Sequence, residues 1–389
     1  MDPILNPYAP GAGERPAALV GRDRQLAAWD VTLERAERDK PRQPFVLHGL
    51  RGVGKTVLLN ELRSATEARG WLVAQVEAGN GRALRDMLSD DIQRRLARHA
   101  RRESTSQQLL RALKTARSFK ITVDPTGNIV YGLDVSGIPI DTADSGDLEL
   151  DLAILAEAFV EAAREQRRGA AIFIDEAQDL EPEELQALCA IAHRAAQERV
   201  PFLLALAGLP SLPRLLAEAR SYAERLFAFH PIGRLDPRDA RAALAKPADA
   251  EGVTWTEDAL ARTIEYTDGY PYFLQIYGGE AWNLATGPDI AVDDVDAAAP
   301  FARRTLDGFY RSRYARATNA EREYLIAMSA DGDGGSRSGE VAARLGRSLG
   351  SLGPARANLI SKGLVYAPEH GEIHFTVPGM AAFIATEPQ

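Results

Sequence analysis

The sequence contains little of what anchors a protein in a membrane or cross-links it outside the cell. Its single cysteine, Cys189, excludes an intramolecular disulfide among 389 residues, so a cytoplasmic protein is expected. No apolar run approaches the roughly 20 residues that a membrane-spanning helix requires. The N-terminal segment lacks the basic and apolar regions of a signal peptide, so neither membrane insertion nor secretion is predicted.

Histidine is also scarce, and acidic residues outnumber basic ones by 55 to 46. His48, His230, His370 and His374 form no ligand pair at helical spacing with acids or with the cysteine, so no histidine-based metal centre is expected. The net charge of −9 argues against indiscriminate nucleic-acid binding by the whole molecule. Residues 81–120 differ, because they hold 11 Lys+Arg against 4 Asp+Glu, a local balance of +7. Such a segment is typical of either a solvated helix surface or a surface that binds polyanions.

A glycine-rich loop is the most informative stretch of the chain. Residues 49–56 are Gly-Leu-Arg-Gly-Val-Gly-Lys-Thr, which is the P-loop pattern G-x-x-x-x-G-K-[ST]. The apolar residues 45–47 predict a strand before the loop, and residues 57–59 open a helix after it. Such a loop brings backbone N–H groups and a helix N-terminus onto phosphate oxygens. We therefore expect nucleotide binding here, with Lys55 on the β- and γ-phosphates and Thr56 on Mg²⁺.

Two carboxylates follow a second apolar run. Residues 171–174 are Ala-Ile-Phe-Ile, and Asp175 and Glu176 come directly after them. A P-loop ATPase needs a carboxylate at the end of a strand to hold Mg²⁺, and Asp175 suits that role. Glu176 suits the general base that orients or deprotonates the attacking water. Paired acids also occur in surface turns, but the upstream P-loop favours the catalytic interpretation.

Together these motifs resemble those of the AAA+ and related STAND ATPases. Val20, Gly21 and Arg22 match the box that lies beside the adenine in that family. Pro271, in a Gly-Tyr-Pro sequence, matches a proline that packs near the base. Arg225 matches the arginine finger, which would contact the γ-phosphate of a neighbouring chain, and an intrachain ion pair is the alternative for it.

The resemblance covers residues 19–310 and implies a set of contacts to ATP and Mg²⁺. The catalytic residues would be Lys55, Asp175, Glu176 and Arg225, and the Mg²⁺ ligands Thr56 and Asp175. The nucleotide-binding residues would be Val20, Gly21, Arg22, Gly49, Gly52, Val53, Gly54, Lys55, Thr56, Val57 and Pro271. Two departures disfavour fast hydrolysis and a hexameric motor. Residues 207–210, Ala-Gly-Leu-Pro, replace an expected polar sensor, and residues 271–273 contain no arginine where many AAA+ lids carry a second sensor.

Apolar strands alternate with helices, which predicts an α/β fold with a parallel sheet covered on both faces. The predicted divisions are an irregular N-terminal arm (1–18), a P-loop ATPase core (19–235), a helical lid (236–317) and a winged helix (318–389). Within the core, residues 119–150 are predicted to form an insertion made of a β-hairpin and an acidic linker.

The C-terminal segment has the order of elements of a winged helix, similar to initiator ATPases of the origin-recognition type. Pro354 is expected to open its third helix at the first turn. Asn358 and Lys362 would lie on the outer face of that helix, with Arg356 beside them. In helix-turn-helix proteins this face enters the major groove, so these residues are candidates for DNA contact.

These features predict an ATP-binding and ATP-hydrolysing regulator that binds double-stranded DNA through its winged helix and its basic helices. A different class stays open: a signalling switch whose winged helix binds a protein partner or a second copy of the chain. Residues 318–389 hold 6 Lys+Arg against 8 Asp+Glu, and this acidic balance favours the alternative. A steep salt dependence of DNA binding would separate the two.

Overall fold

Strands and helices alternate along the chain of the computed structural model, which describes residues 1–11, 13–79, 81–100, 122–123, 129–130, 147–165 and 168–387. The helices are α1 (Asp23–Glu37), α2 (Lys55–Ala68), α3 (Leu84–Ala100), α4 (Leu148–Glu165), α5 (Pro182–Gln197), α6 (Leu212–Ala219), α7 (Ala223–Leu226), α8 (Pro237–Ala250), α9 (Glu257–Thr267), α10 (Pro271–Leu284), α11 (Val292–Tyr314), α12 (Asn319–Ser329), α13 (Ser338–Arg344), α14 (Leu349–Ser361) and α15 (Met380–Thr386). The strands are β1 (Phe45–His48), β2 (Leu72–Glu77), β3 (Thr122–Val123), β4 (Ile129–Val130), β5 (Ala170–Asp175), β6 (Phe202–Gly208), β7 (Ala228–Pro231), β8 (Thr254–Trp255), β9 (Asp289–Ile290), β10 (Ser336–Arg337), β11 (Val365–Tyr366) and β12 (Glu372–Phe375). None of the helices in these ranges is long and apolar enough to cross a membrane.

Five strands form a parallel sheet in the order β2-β5-β6-β1-β7. Strand β1 pairs with β6 on one side and with β7 on the other, so that Phe45 lies level with Ala205 and Ala228. Strands β5 and β6 are buried along their whole length, because helices cover both faces of the sheet. This confirms the predicted α/β fold with a covered parallel sheet, and it places the loop after β1 between the ends of two neighbouring strands.

Alternate residues of β1 belong to two different layers of the core. Phe45 and Leu47 pack with Trp29 of α1 and Leu58 of α2 on one face. Val46 packs on the other face, in a cluster formed with α3, α4 and α5. The rings of Trp29 and Phe45 meet edge to face at 5.1 Å between centroids. Buried contacts on both faces therefore fix the strand from which the P-loop emerges.

The N-terminal arm is fastened to the helices that follow the sheet. Tyr8 is buried, and its hydroxyl donates to the carbonyl oxygen of Leu244 in α8 at 2.6 Å. The same hydroxyl accepts a hydrogen bond from Trp255 Nε1 at 2.7 Å. The side-chain amide of Asn6 donates to the carbonyl oxygen of Gly279 in α10 at 3.0 Å. These contacts hold the arm in one place.

The residues after α11 form a small C-terminal domain of helices α12 to α15 around an antiparallel sheet ordered β10-β12-β11. The start predicted for its third helix is wrong. Helix α14 begins at Leu349 and not at Pro354, because the Ser348 hydroxyl accepts a hydrogen bond from the Ser351 N–H at 3.3 Å. This cap starts the helix five residues early, and Pro354 lies inside it.

Little of the predicted insertion can be placed. Strands β3 and β4 pair antiparallel, with Thr122 opposite Val130 and Val123 opposite Ile129. The remainder of residues 119–146 lies outside the described residues, and so do residues 101–118 of the basic segment.

Candidate functional site

The P-loop lies at the carboxyl end of β1. Gly49 donates from its N–H to the carbonyl oxygen of Gly208 at 3.1 Å, and a Cβ on Gly49 would overlap the carbonyl oxygen of Ile232. Only glycine therefore fits this position. Gly54 caps α2 with a φ of 91°, a left-handed conformation that residues with side chains rarely adopt. The loop can thereby wrap a phosphate at the N-terminus of α2.

Lys55 is the first residue of α2 and is 6% exposed. Its Nζ donates to the carbonyl oxygen of Leu50 across the loop at 2.9 Å. Burial lowers the pKa of Lys55 to about 8, and the carboxylates of Glu176 and Asp175 oppose that effect. A phosphate in the loop would supply the negative charge that this buried ammonium group lacks.

A hydrogen bond joins the P-loop to the end of β5. The Thr56 hydroxyl donates to Asp175 Oδ2 at 2.6 Å, and Asp175 Oδ1 accepts from the N–H of Glu176 at 2.9 Å. Burial raises the pKa of Asp175, although the bond from Thr56 opposes the rise. Hydroxyl and carboxylate oxygens are the ligands that Mg²⁺ prefers. The two side chains predicted to hold Mg²⁺ therefore fit that ion in chemistry and in position.

Glu176 has a backbone φ of 50°, which is unfavourable for a residue with a side chain. Its carboxylate is held from both sides. Oε1 accepts a hydrogen bond from the guanidinium of Arg51, a P-loop residue, at 2.9 Å. Oε2 accepts from Gln178 Nε2 at 2.7 Å. These partners point the predicted general base toward the phosphate loop.

Gln178 is a further residue of the site, and no sequence motif predicted it. Besides its bond to Glu176, its Oε1 accepts from the N–H of Leu209 at 2.8 Å. Leu209 follows β6, at the place where a polar sensor was expected and none stands in the sequence. A side chain on Gly208 would collide with Gln178. The loop after β5 therefore supplies a side-chain amide to the end of β6. The sequence signal for this contact is Gly208, because the missing side chain leaves space for the Gln178 amide.

A cavity of about 390 Å³ adjoins the P-loop. This volume falls within the roughly 300–1,000 Å³ typical of small-molecule sites. The predicted residues that line it are Val20, Arg22, Gly52, Val53, Gly54, Lys55, Thr56, Val57, Glu176 and Pro271. Gly21, Gly49 and Asp175 are not in its wall, and Asp175 is connected to it through the Thr56 hydroxyl. Leu235 and Leu274 add apolar surface to the wall, which suits a flat base.

Arg22 connects the P-loop to the segment after β7 by hydrogen bonds. It is 7% exposed, and its Nη2 donates to the carbonyl oxygens of Val53 at 3.0 Å and Gly233 at 2.8 Å. Burial lowers the pKa of Arg22. Gly21 beside it has no room for a side chain, because a Cβ would meet Asp239. The predicted box beside the adenine therefore positions the loop as well as lining the cavity.

The N-terminal arm forms a further part of the wall that was not predicted. Ala9, Pro10, Gly11, Gly13 and Glu14 all line the cavity. The buried contacts of the arm upstream hold this stretch over the loop. Sequence patterns did not indicate this role, because the arm has no periodic apolar residues.

Arg225 lies on α7 and is exposed. It does not line the cavity of its own chain, and within the described residues its side chain makes no ion pair. Its carbonyl oxygen accepts a hydrogen bond from Gln43 Nε2 at 2.9 Å. The contact of Arg225 with a neighbouring chain stays a prediction.

The predicted DNA-contacting residues differ in whether their side chains already have partners within the chain. Asn358 is exposed on α14. Arg356 donates to the carbonyl oxygen of Glu372 at 3.2 Å. Lys362 forms an ion pair with Glu321, a carboxylate only 2% exposed. Two of the three side chains are therefore engaged inside their own domain.

Four of the described arginines at the start of the basic segment, Arg82, Arg85, Arg94 and Arg95, are also in ion pairs. Arg82 contacts Asp90 at 2.6 Å, and Arg94 contacts Asp91 at 3.1 Å. Arg95 contacts Asp91 at 2.7 Å as well. These ion pairs reduce the positive field that a polyanion would meet at α3.

Comparisons with known proteins agree with the fold. Residues 18–205 match a family described as "AAA ATPase domain", and residues 307–384 match one described as "Domain of unknown function (DUF8462)". The Walker-type ATPase PABY2304 of Pyrococcus abyssi is 16% identical, with a TM-score of 0.59 over 95% of this chain and 97% of that chain. Cdc6p from Pyrobaculum aerophilum gives 16% identity and a TM-score of 0.49 over 99% and 97%. The Holliday junction branch migration motor RuvB of Thermotoga maritima is 15% identical, with a TM-score of 0.46 over 97% of this chain and 100% of that chain. No protein of curated function matches the sequence significantly.

Proposed function

We propose that the protein is a nucleotide-switched regulator that hydrolyses ATP, since residues 18–205 match the AAA ATPase domain family. The observation that supports this proposal most is the bond between the Thr56 hydroxyl and Asp175 at 2.6 Å, with Glu176 beside it in the cavity wall. It brings the phosphate loop, the two candidate Mg²⁺ ligands and a general base to one place. Hydrolysis needs such a base, whereas binding alone does not.

In the proposed reaction, the loop N–H groups and Lys55 hold the β- and γ-phosphates, and Thr56 with Asp175 holds Mg²⁺. The ion would neutralise charge on the phosphate oxygens. Glu176 would accept the proton of the water that attacks the γ-phosphorus, which yields ADP and phosphate. Gln178 would keep the Glu176 carboxylate in the direction of that water.

The switch is supported by contacts between the P-loop and the C-terminal domain. The N–H of Arg51 donates to the carbonyl oxygen of Thr376, just after β12, at 3.0 Å. The Arg51 guanidinium lies against Gly363 and also holds Glu176. One P-loop residue therefore contacts both the base and the C-terminal domain. A nucleotide that moves Arg51 would change how that domain is held.

Removal of the metal ion tests the proposed chemistry. We expect the wild-type protein to release phosphate from ATP in the presence of Mg²⁺ and to fall to background when EDTA removes the ion, because Thr56 and Asp175 then have no cation to position. A phosphate-release assay under both conditions measures this. Equal rates with and without Mg²⁺, or no release in either, would contradict the proposed hydrolysis.

We further propose that residues 236–317 form a lid and residues 318–389 a winged helix, whose helix α14 contacts double-stranded DNA. Support comes from the order of elements, with a hairpin after α14 in an antiparallel three-stranded sheet. Asn358 is exposed on α14, and Arg356 lies on its flank. Contacts of this kind would add to any attraction from the basic segment.

A protein partner is the second candidate for this domain. The ion pair between Lys362 and Glu321 and the acidic balance of residues 318–389 both favour it, because DNA-reading domains are usually basic. In this case the same ATP switch would control the exposure of a protein-binding surface.

Salt dependence of DNA binding separates the two candidates. If α14 contacts phosphates, Lys362→Ala is expected to weaken duplex binding for all sequences and to flatten the salt slope by about one unit. Fluorescence anisotropy between about 50 and 200 mM salt measures the slope. Arg337→Ala, an exposed arginine on β10 of the same domain, is the control and should leave the slope unchanged. No duplex binding by the wild type at about 50 mM salt would favour the protein partner.

A further inference from the structure

One arginine in the cavity wall belongs to none of the predicted motifs. Arg313 lies in the last turn of α11 and lines the cavity together with Lys55 and Glu176. Within the described part of the chain, its side chain makes no hydrogen bond and no ion pair, and its Nε is buried without a partner. A guanidinium group is protonated under all ordinary conditions. The cavity therefore contains a cation for which the protein supplies no paired anion.

The position of Arg313 is fixed by an aromatic stack that leads back to the P-loop. Its guanidinium lies over the ring of Phe309, one turn earlier in α11, at 4.4 Å. The Phe309 ring packs on Tyr272 at 5.1 Å between centroids. The N–H of Tyr272 donates to the carbonyl oxygen of Gly52 at 3.2 Å. Helix α11 is thereby held at a set distance from the phosphate loop, and Arg313 is held at its end.

The charges around Arg313 point to an anion as its missing partner. Burial lowers the pKa of Arg313 from its usual value, and the cations Arg51 and Arg316 add to that effect, while Glu176 opposes it. Repulsion between cations in a partly buried site is relieved by a bound anion of high charge. The terminal phosphate of ATP is such an anion, and it would lie on the side of the cavity where Glu176 stands.

We propose that Arg313 binds the γ-phosphate of ATP, and that α11 thereby takes the place of the arginine sensor absent from the start of α10. This inference rests on the proposed function and names a further ligand-binding residue of the same site. The planar guanidinium matches two oxygens of a phosphate. Because ADP lacks the γ-phosphate, Arg313 would distinguish ATP from ADP.

The same helix end would transmit this distinction to the C-terminal domain. Tyr310 follows Phe309 in α11, and the two rings meet edge to face at 5.7 Å between centroids. Its hydroxyl donates to the carbonyl oxygen of Pro378 at 2.8 Å, and its ring packs on Phe383 of α15 at 5.5 Å between centroids. A pull on Arg313 by the γ-phosphate would thus act on the contact between α11 and the C-terminal domain. Residues 307–384, which match one family, include this helix end together with the C-terminal domain.

The test compares the affinities for ATP and ADP. Arg313→Ala is expected to weaken ATP binding about 10- to 100-fold, as for loss of a hydrogen bond to a charged group. ADP binding should change by less than about fivefold, the range of an indirect charge effect. Arg313→Lys keeps the positive charge but loses the planar guanidinium that contacts two phosphate oxygens. Its preference for ATP over ADP should therefore lie between those of the wild type and of Arg313→Ala. Calorimetric titration with Mg²⁺ measures both affinities.

Arg304→Ala is the matched control, since it removes the same charge from an exposed position of the same helix outside the cavity wall. It should leave both affinities unchanged. Equal losses for ATP and ADP, the same ATP loss in the control, or no loss in Arg313→Ala would overturn the inference. If circular dichroism shows that Arg313→Ala is unfolded, an unchanged preference for ATP in Arg313→Lys would overturn it instead. Failure of the wild type to bind either nucleotide would contradict the proposed function itself.

Discussion

Glu176→Gln is expected to leave ATP bound while lowering its turnover by about 10²- to 10⁴-fold, the contribution typical of a general base. The amide can still hold a water molecule but cannot take its proton. The change also removes the ion pair with Arg51 at 2.9 Å, whereas the contact with Gln178 can persist. Phosphate release and ATP affinity, measured on the same preparation, separate the loss of chemistry from loss of binding.

Glu183→Gln is the control for this change. Glu183 is exposed in the first turn of α5, only seven positions after Glu176, and it is not in the cavity wall. It should hydrolyse ATP at the wild-type rate. If Glu176→Gln also hydrolyses at that rate, the general base is another group and the assignment of Glu176 is wrong.

Lys55→Ala is expected to weaken ATP binding by about 10- to 100-fold or more, since it removes a charged donor to the β- and γ-phosphates. The substitution should not unfold the protein. The only hydrogen bond that the Lys55 side chain makes within the described residues is to Leu50, a carbonyl oxygen of the loop itself. Calorimetric titration of ATP with Mg²⁺ measures the affinity, and circular dichroism checks the fold.

Lys246→Ala serves as the matched control for Lys55→Ala. Lys246 is exposed on α8 and lies outside the cavity wall, so the change removes the same charge without touching the site. Its ATP affinity should equal that of the wild type. Equal weakening by both changes would mean that net charge, and not contact at the P-loop, determines the affinity.

The sequence was sufficient for the parts of the site that are local in the chain. The P-loop residues 49–56 and the pair Asp175 and Glu176 each follow a short apolar run, so a strand, a turn and a chemical group can be inferred together. The parallel sheet then brings the ends of β1 and β5 near each other. Strand β6 lies between them, and the bond from Thr56 to Asp175 joins their two loops.

The parts that depend on distant contacts could not be inferred. Gln178 reaches the end of β6, and Arg313 reaches the cavity from the end of α11, more than 250 positions after the P-loop. Neither belongs to a short motif, because its role depends on the packing of whole elements. The predicted start of α14 was wrong for a different reason. The cap at Ser348 determines the first turn, although Pro354 is the stronger signal in the sequence.

Binding of ATP at the P-loop is tested most directly by calorimetric titration of the wild-type protein with ATP and Mg²⁺. We expect one saturable site in each chain, because the P-loop and its cavity occur once among the described residues. We also expect that site to be lost or strongly weakened in Lys55→Ala and retained in Lys246→Ala. A wild-type protein that shows no saturable heat with ATP, or a Lys55→Ala protein that binds ATP as tightly as the wild type, would contradict the assignment.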